Sequence, residues 1–146
     1  MNNTQLIDQL VSKGIITSHR VANAMKAVDR GDFVKDKALA YEDRPSTIGF
    51  NVNISAPHMH AYCIGWLEDV LQPGAKVLDV GSGSGYLCAV FYELTRSKVV
   101  GIEHISDLCK FSLENLIGNY SLELSDRQIE IVCGDGRRGF PDSALY

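Results

Sequence analysis

An α/β fold built around a parallel sheet is predicted by three observations. The run VLDV at 77–80 opens into glycines at 81, 83 and 85, and the runs KVVGIEH at 98–104 and IEIVCGDG at 129–136 repeat the passage from apolar strand to polar tip. The intervening segments, 84–94 and 106 to about 118, have the composition of crossover helices. On a parallel sheet the three tips share the carboxyl edge, so Gly81 to Gly85, Glu103 and Asp135 converge on one crevice.

The elements before this unit are helical. Thr4 to Lys13 places Leu6, Ile7, Leu10 and Val11 on one face and stops at Gly14, and Thr17 or Ser18 caps a second helix running through Val28. Residues 29–47 have no regular periodicity and read as a connecting arm; the Arg30-Gly31-Asp32 tripeptide within it is read as chance. The stretch IGFNVNISAPHMHAY at 48–62 fits neither helix nor strand and reads as a polar loop carrying function. From His58 to Leu71 a helix is expected, with Met59, Cys63, Trp66, Leu67 and Val70 as its core face and Pro73-Gly74 as its stop.

The glycine loop predicts a small anionic or nucleotide-like ligand. Glycines let the backbone turn sharply and approach a ligand, and the following helix directs unpaired N–H groups to the same place. Tyr86 stands where a dinucleotide fingerprint needs its third glycine, which argues against a nicotinamide or flavin cofactor. Glu103, about 20 residues beyond the loop, suits a pair of ribose hydroxyls.

The segments ISAPHMHA, VLDVGSGSGYL, VCGDGR and the N-terminal LVSKGIITSHRVANAMKAVDR resemble the protein-L-isoaspartate (D-aspartate) O-methyltransferases, and the likeness extends over essentially the whole chain. The resemblance implies a Rossmann-like S-adenosylmethionine-dependent methyltransferase fold with an N-terminal helical extension. Residues 1–56 form that extension with a substrate and cofactor loop, and 57–146 form a partial methyltransferase domain, one structural unit overall. The implied sheet has seven strands, of which three are legible, so only the N-terminal half of the fold is expected, with the chain stopping at Ala144-Leu145-Tyr146 where a fourth strand would begin. The strand at 77–80 then has a bare edge, which predicts self-association of this chain, whereas full-length relatives are expected as monomers.

The implied activity is transfer of a methyl group from S-adenosylmethionine to the free carboxyl of L-isoaspartyl residues in damaged proteins and peptides, with D-aspartyl acceptance left open. By the resemblance, Ser55 is the active-site serine, and Val52, Asn53, Ile54 and Ser55 line the pocket with His60 beside the cofactor. The glycine loop contributes Asp79, Gly81, Gly83, Ser84 and Gly85, the ribose end Glu103 with His104, and the adenine end Asp135 with Gly136. A carboxylate is ionised at neutral pH and a sulfonium methyl is already activated, so no base or metal is expected. Alignment near 3 Å supplies ~7–11 kcal/mol in favourable systems, which makes Ser55 an orienting group. The alternative reading is a catalytically inactive form that binds cofactor or peptide.

Composition supports these expectations. The net charge is −4 with scattered basic residues, the densest pair being Arg137-Arg138, which argues against nucleic acid as a partner. Cys63, Cys88, Cys109 and Cys133 form no C-x-x-C pair and read as reduced core thiols. No stretch approaches the ~18 apolar residues of a membrane span and no signal sequence is legible, so a cytoplasmic (cytosolic) protein is expected.

Overall fold

The computed structural model describes residues 1–143 and 146. It begins with two short helices, α1 (Asn3–Ser12) and α2 (His19–Ala27). A capping box starts α1: Asn2 Oδ1 accepts from the Gln5 amide at 2.9 Å, and Gln5 Oε1 accepts from the Asn2 amide at 3.0 Å. Ser18, not Thr17, caps α2 by accepting from the Val21 amide at 3.4 Å. Leu6, Ile7, Leu10, Val21 and Met25 bury the facing sides of the pair.

The connecting arm contains two 3-10 turns, Arg30–Phe33 and Lys37–Leu39, each started by an aspartate that accepts from a backbone amide. The segment read as an irregular loop is instead an antiparallel hairpin of β1 (Ser46–Gly49) and β2 (Val52–Ile54). Its turn is made by Phe50 and Asn51, at φ +57° and +56°, the paired positive-φ geometry of a two-residue hairpin connection. A bulky residue rarely takes that conformation, which is why no turn signal was visible in Phe-Asn. The Lys35 ammonium lies 4.7 Å from the Phe50 ring centre and 5.4 Å from that of Phe111, tying the hairpin tip to the body.

After the hairpin comes α3 (Pro57–Leu67), with Pro57 in the first turn. Its buried face is Pro57, His60, Ala61 and Ile64, which corrects the expected core stripe: Trp66 is 77% exposed, Val70 66%, Met59 45% and Leu67 44%, with Cys63 half-buried. PHMHAYCIGWL is apolar around most of its circumference, so spacing could not choose which side faces inward.

The sheet comprises β3 (Val77–Val80), β4 (Val99–Glu103) and β5 (Ile129–Cys133), all parallel in the order β3-β4-β5. Asp79 lies opposite Gly101, and Glu103 opposite Cys133. β4 is buried along its whole length, while β3 has β4 as its one strand neighbour among the described residues and leaves Val80 58% exposed. The crossovers are α4 (Tyr86–Thr95) and α5 (Ser106–Ser125). α5 runs past Gly118, where it was expected to end, and kinks at Tyr120, whose hydroxyl donates to Glu93 Oε1 at 2.9 Å. A glycine within a helix costs only about 1 kcal/mol, less than this anchoring contact and the buried Leu116 and Tyr120 can offset.

One apolar core joins all these parts, from Leu10 and Met25 through Ile48 and Ile64 to Val90, Val99, Leu116 and Ile129. The expected beginning of a fourth strand falls on Ala144 and Leu145, outside the described residues.

Candidate cofactor site at the carboxyl edge of the sheet

The tips of β3, β4 and β5 meet in an open cleft of about 500 Å³ lined by Val80, Gly81, Ile102, His104, Gly134, Asp135, Gly136 and Arg137. The loop after β3 is hung from β4: the Gly81 and Ser82 amides both donate to the Ile102 carbonyl, at 2.8 and 3.1 Å. Glu103, only 4% exposed, fastens the next turn by accepting from the Gly83 amide at 3.1 Å and the Ile105 amide at 3.1 Å. His104 Nδ1 lies 3.3 Å from the same carboxylate and its ring faces solvent.

Gly81 and Gly85 serve different ends. Gly81 sits at φ +80°, and a side chain built on it would meet no atom of the described residues within 4 Å and project into open space beside the cleft. Gly85, at φ +84°, caps α4, and a Cβ there would lie 2.5 Å from Ser112 Oγ. Ser84 is buried between these positions; its Oγ accepts from the Tyr86 amide at 3.3 Å, and its carbonyl accepts from Asn115 Nδ2 at 3.0 Å.

Two carboxylates in this region have altered acidity. Burial pushes Asp79 up to about 6, with a smaller upward push from Glu103, against the Cys88 thiol that donates to it at 3.6 Å. Asp135 is held below the usual carboxylate range chiefly by Arg137, whose Nε and Nη2 donate to its oxygens at 3.0 and 2.9 Å. Arg137 is therefore the partner of Asp135 at the mouth of the cleft.

The second group of predicted residues lies on the hairpin and α3. Asn53 and Ser55 are exposed, Val52 is half-buried and Ile54 is in the core. None of Val52 to Ser55, nor His60, lines the cleft at the strand tips. His60 is buried, with its ring stacked on Tyr86 at 4.9 Å between centres, directly beyond Gly85, so it reaches the glycine loop from behind. Burial, and secondarily the Arg30 charge, push His60 down to about 3, so it is neutral at physiological pH.

Arg30 was missed in the sequence. Its guanidinium is buried at 1% exposure, lies 5.9 Å over the Tyr86 ring, and donates from Nη2 to the Ser55 carbonyl at 2.9 Å. Nε and Nη1 have no hydrogen-bond partner among the described residues. An arginine in an aperiodic arm carries no periodic signal, and only its place in an otherwise apolar neighbourhood marks it.

Among the described residues no group of three or more His, Cys, Asp or Glu side chains is placed to hold a metal. A glycine loop beneath a parallel sheet, with a carboxylate on the adjoining strand tip and acidic and glycine residues on the third, defines the Rossmann-like methyltransferase class. Within that class the chain belongs to the protein-L-isoaspartate (D-aspartate) O-methyltransferase family, whose profile matches residues 1–146.

It is 46% identical over 147 residues to protein-L-isoaspartate O-methyltransferase 1 of Arabidopsis thaliana, covering 99% of this chain and 64% of the relative. It is 45% identical over 146 residues to the Caenorhabditis elegans protein-L-isoaspartate O-methyltransferase, again covering 99% and 64%. A crystal structure described as a protein-L-isoaspartate O-methyltransferase of Plasmodium falciparum in complex with S-adenosyl-L-homocysteine superposes with a TM-score of 0.87 at 38% identity, over 92% of this chain and 63% of that one. The chain thus spans a little under two thirds of the length of these relatives.

Proposed function

We propose that this chain binds S-adenosylmethionine at the carboxyl edge of its sheet and takes part in methyl transfer to the free carboxyl of L-isoaspartyl residues in proteins and peptides. The observation that carries this reading is the convergence of Gly81, His104, Asp135 and Gly136 on one cleft, with the buried Glu103 fastening the glycine loop behind it, in a chain of this family. The fit is physical: Gly81 leaves open space beside the cleft, and the cleft's size is within the range of small-molecule sites.

In this reading, the cofactor supplies an activated methyl on a sulfonium. Glu103 keeps the loop closed through two backbone amides and still has free lone pairs for ribose hydroxyls. Asp135 and Gly136 bound the adenine end, with Arg137 fixing the Asp135 carboxylate. Asp79, Gly83, Ser84 and Gly85 shape the loop, and Val52 to Ser55 with His60 form the side where the reacting carboxyl is held. Ser55, exposed on its own side chain and pinned at its carbonyl by Arg30, orients that carboxyl by hydrogen bonding. The acceptor is ionised at neutral pH, so these residues hold and align and no proton need be removed. The reading extends to a cytosolic setting, which four unpaired thiols suit.

Calorimetric titration with S-adenosylmethionine, followed by an isoaspartyl peptide and radiolabelled cofactor, tests this. Saturable binding with label transfer is expected. Binding without transfer restricts the chain to a binding role, and a folded chain that does neither overturns the reading.

A further inference from the structure

Two of the four cysteines meet at the cofactor edge. Cys109, in the first turn of α5 and 6% exposed, directs its Sγ at the Glu103 carbonyl, 3.2 Å away. That same carbonyl accepts from the Gly134 amide at 3.0 Å, and Gly134 follows Cys133, the register partner of Glu103. The Cys109 side chain and Cys133 thus flank one and the same carbonyl, and Cys133 is exposed. The other two cysteines differ: Cys88 is buried against Asp79, and Cys63 is half-buried on α3.

We propose that Cys109 and Cys133 are an oxidation site that closes reversibly to a disulfide and, in closing, reshapes the rim formed by Glu103 and Gly134 to Gly136. An accessible sulfur beside a sheltered one is the arrangement of a thiol that is oxidised first and a thiol that resolves it. The oxidant is a peroxide. The Cys133 sulfur attacks one peroxide oxygen, the O–O bond breaks, and sulfenic acid and one water result. The Cys109 sulfur then attacks the Cys133 sulfur, its proton leaves with the hydroxyl as a second water, and the S–S bond forms; two thiols lose two electrons and peroxide gains them. Burial first of all pushes the Cys109 thiol up to about 12, so the sheltered member keeps its proton until the S–S bond forms.

A disulfide draws the sulfurs to about 2.0 Å, closer than any non-bonded contact. Cys109 must then release the Glu103 carbonyl, which also anchors Gly134, and three cleft residues follow immediately: Gly134, Asp135 and Gly136. The effect on cofactor binding rests on the function proposed above; formation of the disulfide does not.

The experiment treats the fully reduced chain with hydrogen peroxide, blocks remaining thiols with iodoacetamide, and maps peptides by mass. In parallel it measures S-adenosyl-L-homocysteine affinity before oxidation, after it, and after dithiothreitol. A Cys109–Cys133 cross-link lighter by two hydrogens is expected, with affinity weakened about fivefold or more and restored by the reductant. Cys133→Ser should form no cross-link and keep its affinity under peroxide. Over-oxidation of Cys133 without a cross-link, or a cross-link that leaves affinity unchanged, overturns the proposal. If the reduced chain does not bind the probe, the proposed function fails, and amide exchange at 134–137 decides instead: altered exchange in the cross-linked form supports the proposal, unaltered exchange overturns it.

Discussion

Glu103 Oε2 accepts from the Gly83 amide at 3.1 Å, bridging 20 residues of chain between the tip of β4 and the loop after β3. Its other oxygen accepts from Ile105, so one buried carboxylate fixes two turns that frame the cleft. Glu103→Gln retains one acceptor but brings an amide N–H₂ against one of the two backbone donors. Charge-assisted bonds of this kind contribute ~1.5–3 kcal/mol, and the variant should lose stability of that order. Chemical denaturation reads the change, and an unaltered midpoint would show that the loop is held by other contacts.

The two glycines beside this carboxylate should separate folding from binding. Gly85→Ala places a Cβ 2.5 Å from Ser112 Oγ at φ +84°, so it should be destabilised by at least ~1 kcal/mol. Gly81→Ala carries similar backbone strain but its methyl meets no atom within 4 Å, so the packing penalty is absent and the methyl projects beside the cleft. The expected pattern is a larger drop in melting temperature for Gly85→Ala and a larger loss of S-adenosyl-L-homocysteine affinity, relative to the drop in stability, for Gly81→Ala. Parallel losses in both variants would contradict the assignment of the cleft.

Much of this frame was readable from residues. The three strands follow from apolar runs with abrupt polar ends, and their tips had to share one edge once the crossovers were helical. The positions of Glu103 and Asp135 were legible for the same reason, but not what they do: Glu103 is engaged by backbone amides and Asp135 by Arg137, contacts that depend on loop conformations no periodicity encodes. The hairpin at 46–54 was hidden because Phe50, the first of its two turn residues, is of a type that rarely takes a positive φ, so Asn51 alone gave too weak a turn signal. α3 was found but its inward face was not, since a helix apolar on most sides takes its orientation from what packs on it. Arg30 was invisible because its role is tertiary.

That arginine has a testable electrostatic signature. Its charge lowers the His60 pKa as the second cause after burial. Arg30→Met should therefore move the His60 midpoint upward from about 3 while leaving it below the ordinary 6.5, as followed by NMR titration. The Ser55 carbonyl also loses its 2.9 Å donor, so amide exchange in residues 54–56 should quicken. A His60 midpoint that does not move would show that the guanidinium charge is screened from the imidazole.

Asp79 gives the opposite dependence on pH. Its folded-state pKa, about 6, is raised above the ordinary 3.8, so the folded protein holds a proton that the unfolded chain releases between those values. The stabilisation is complete below about pH 4 and is lost as pH rises through 6. His60 acts in the reverse sense, because a pKa lowered from 6.5 to about 3 makes the unfolded chain bind the extra proton, and acidification through that window destabilises the fold. Asp79→Asn imitates the protonated acid and keeps an acceptor for the Cys88 thiol, so it isolates the first contribution while leaving the His60 contribution in place. Urea unfolding from pH 4 to 8 should show the variant gaining on the natural chain as pH rises from 4 to 6, with the gap constant above 7. A gap that is the same at every pH would mean that Asp79 is ionised throughout, and that the cleft is wet at its base.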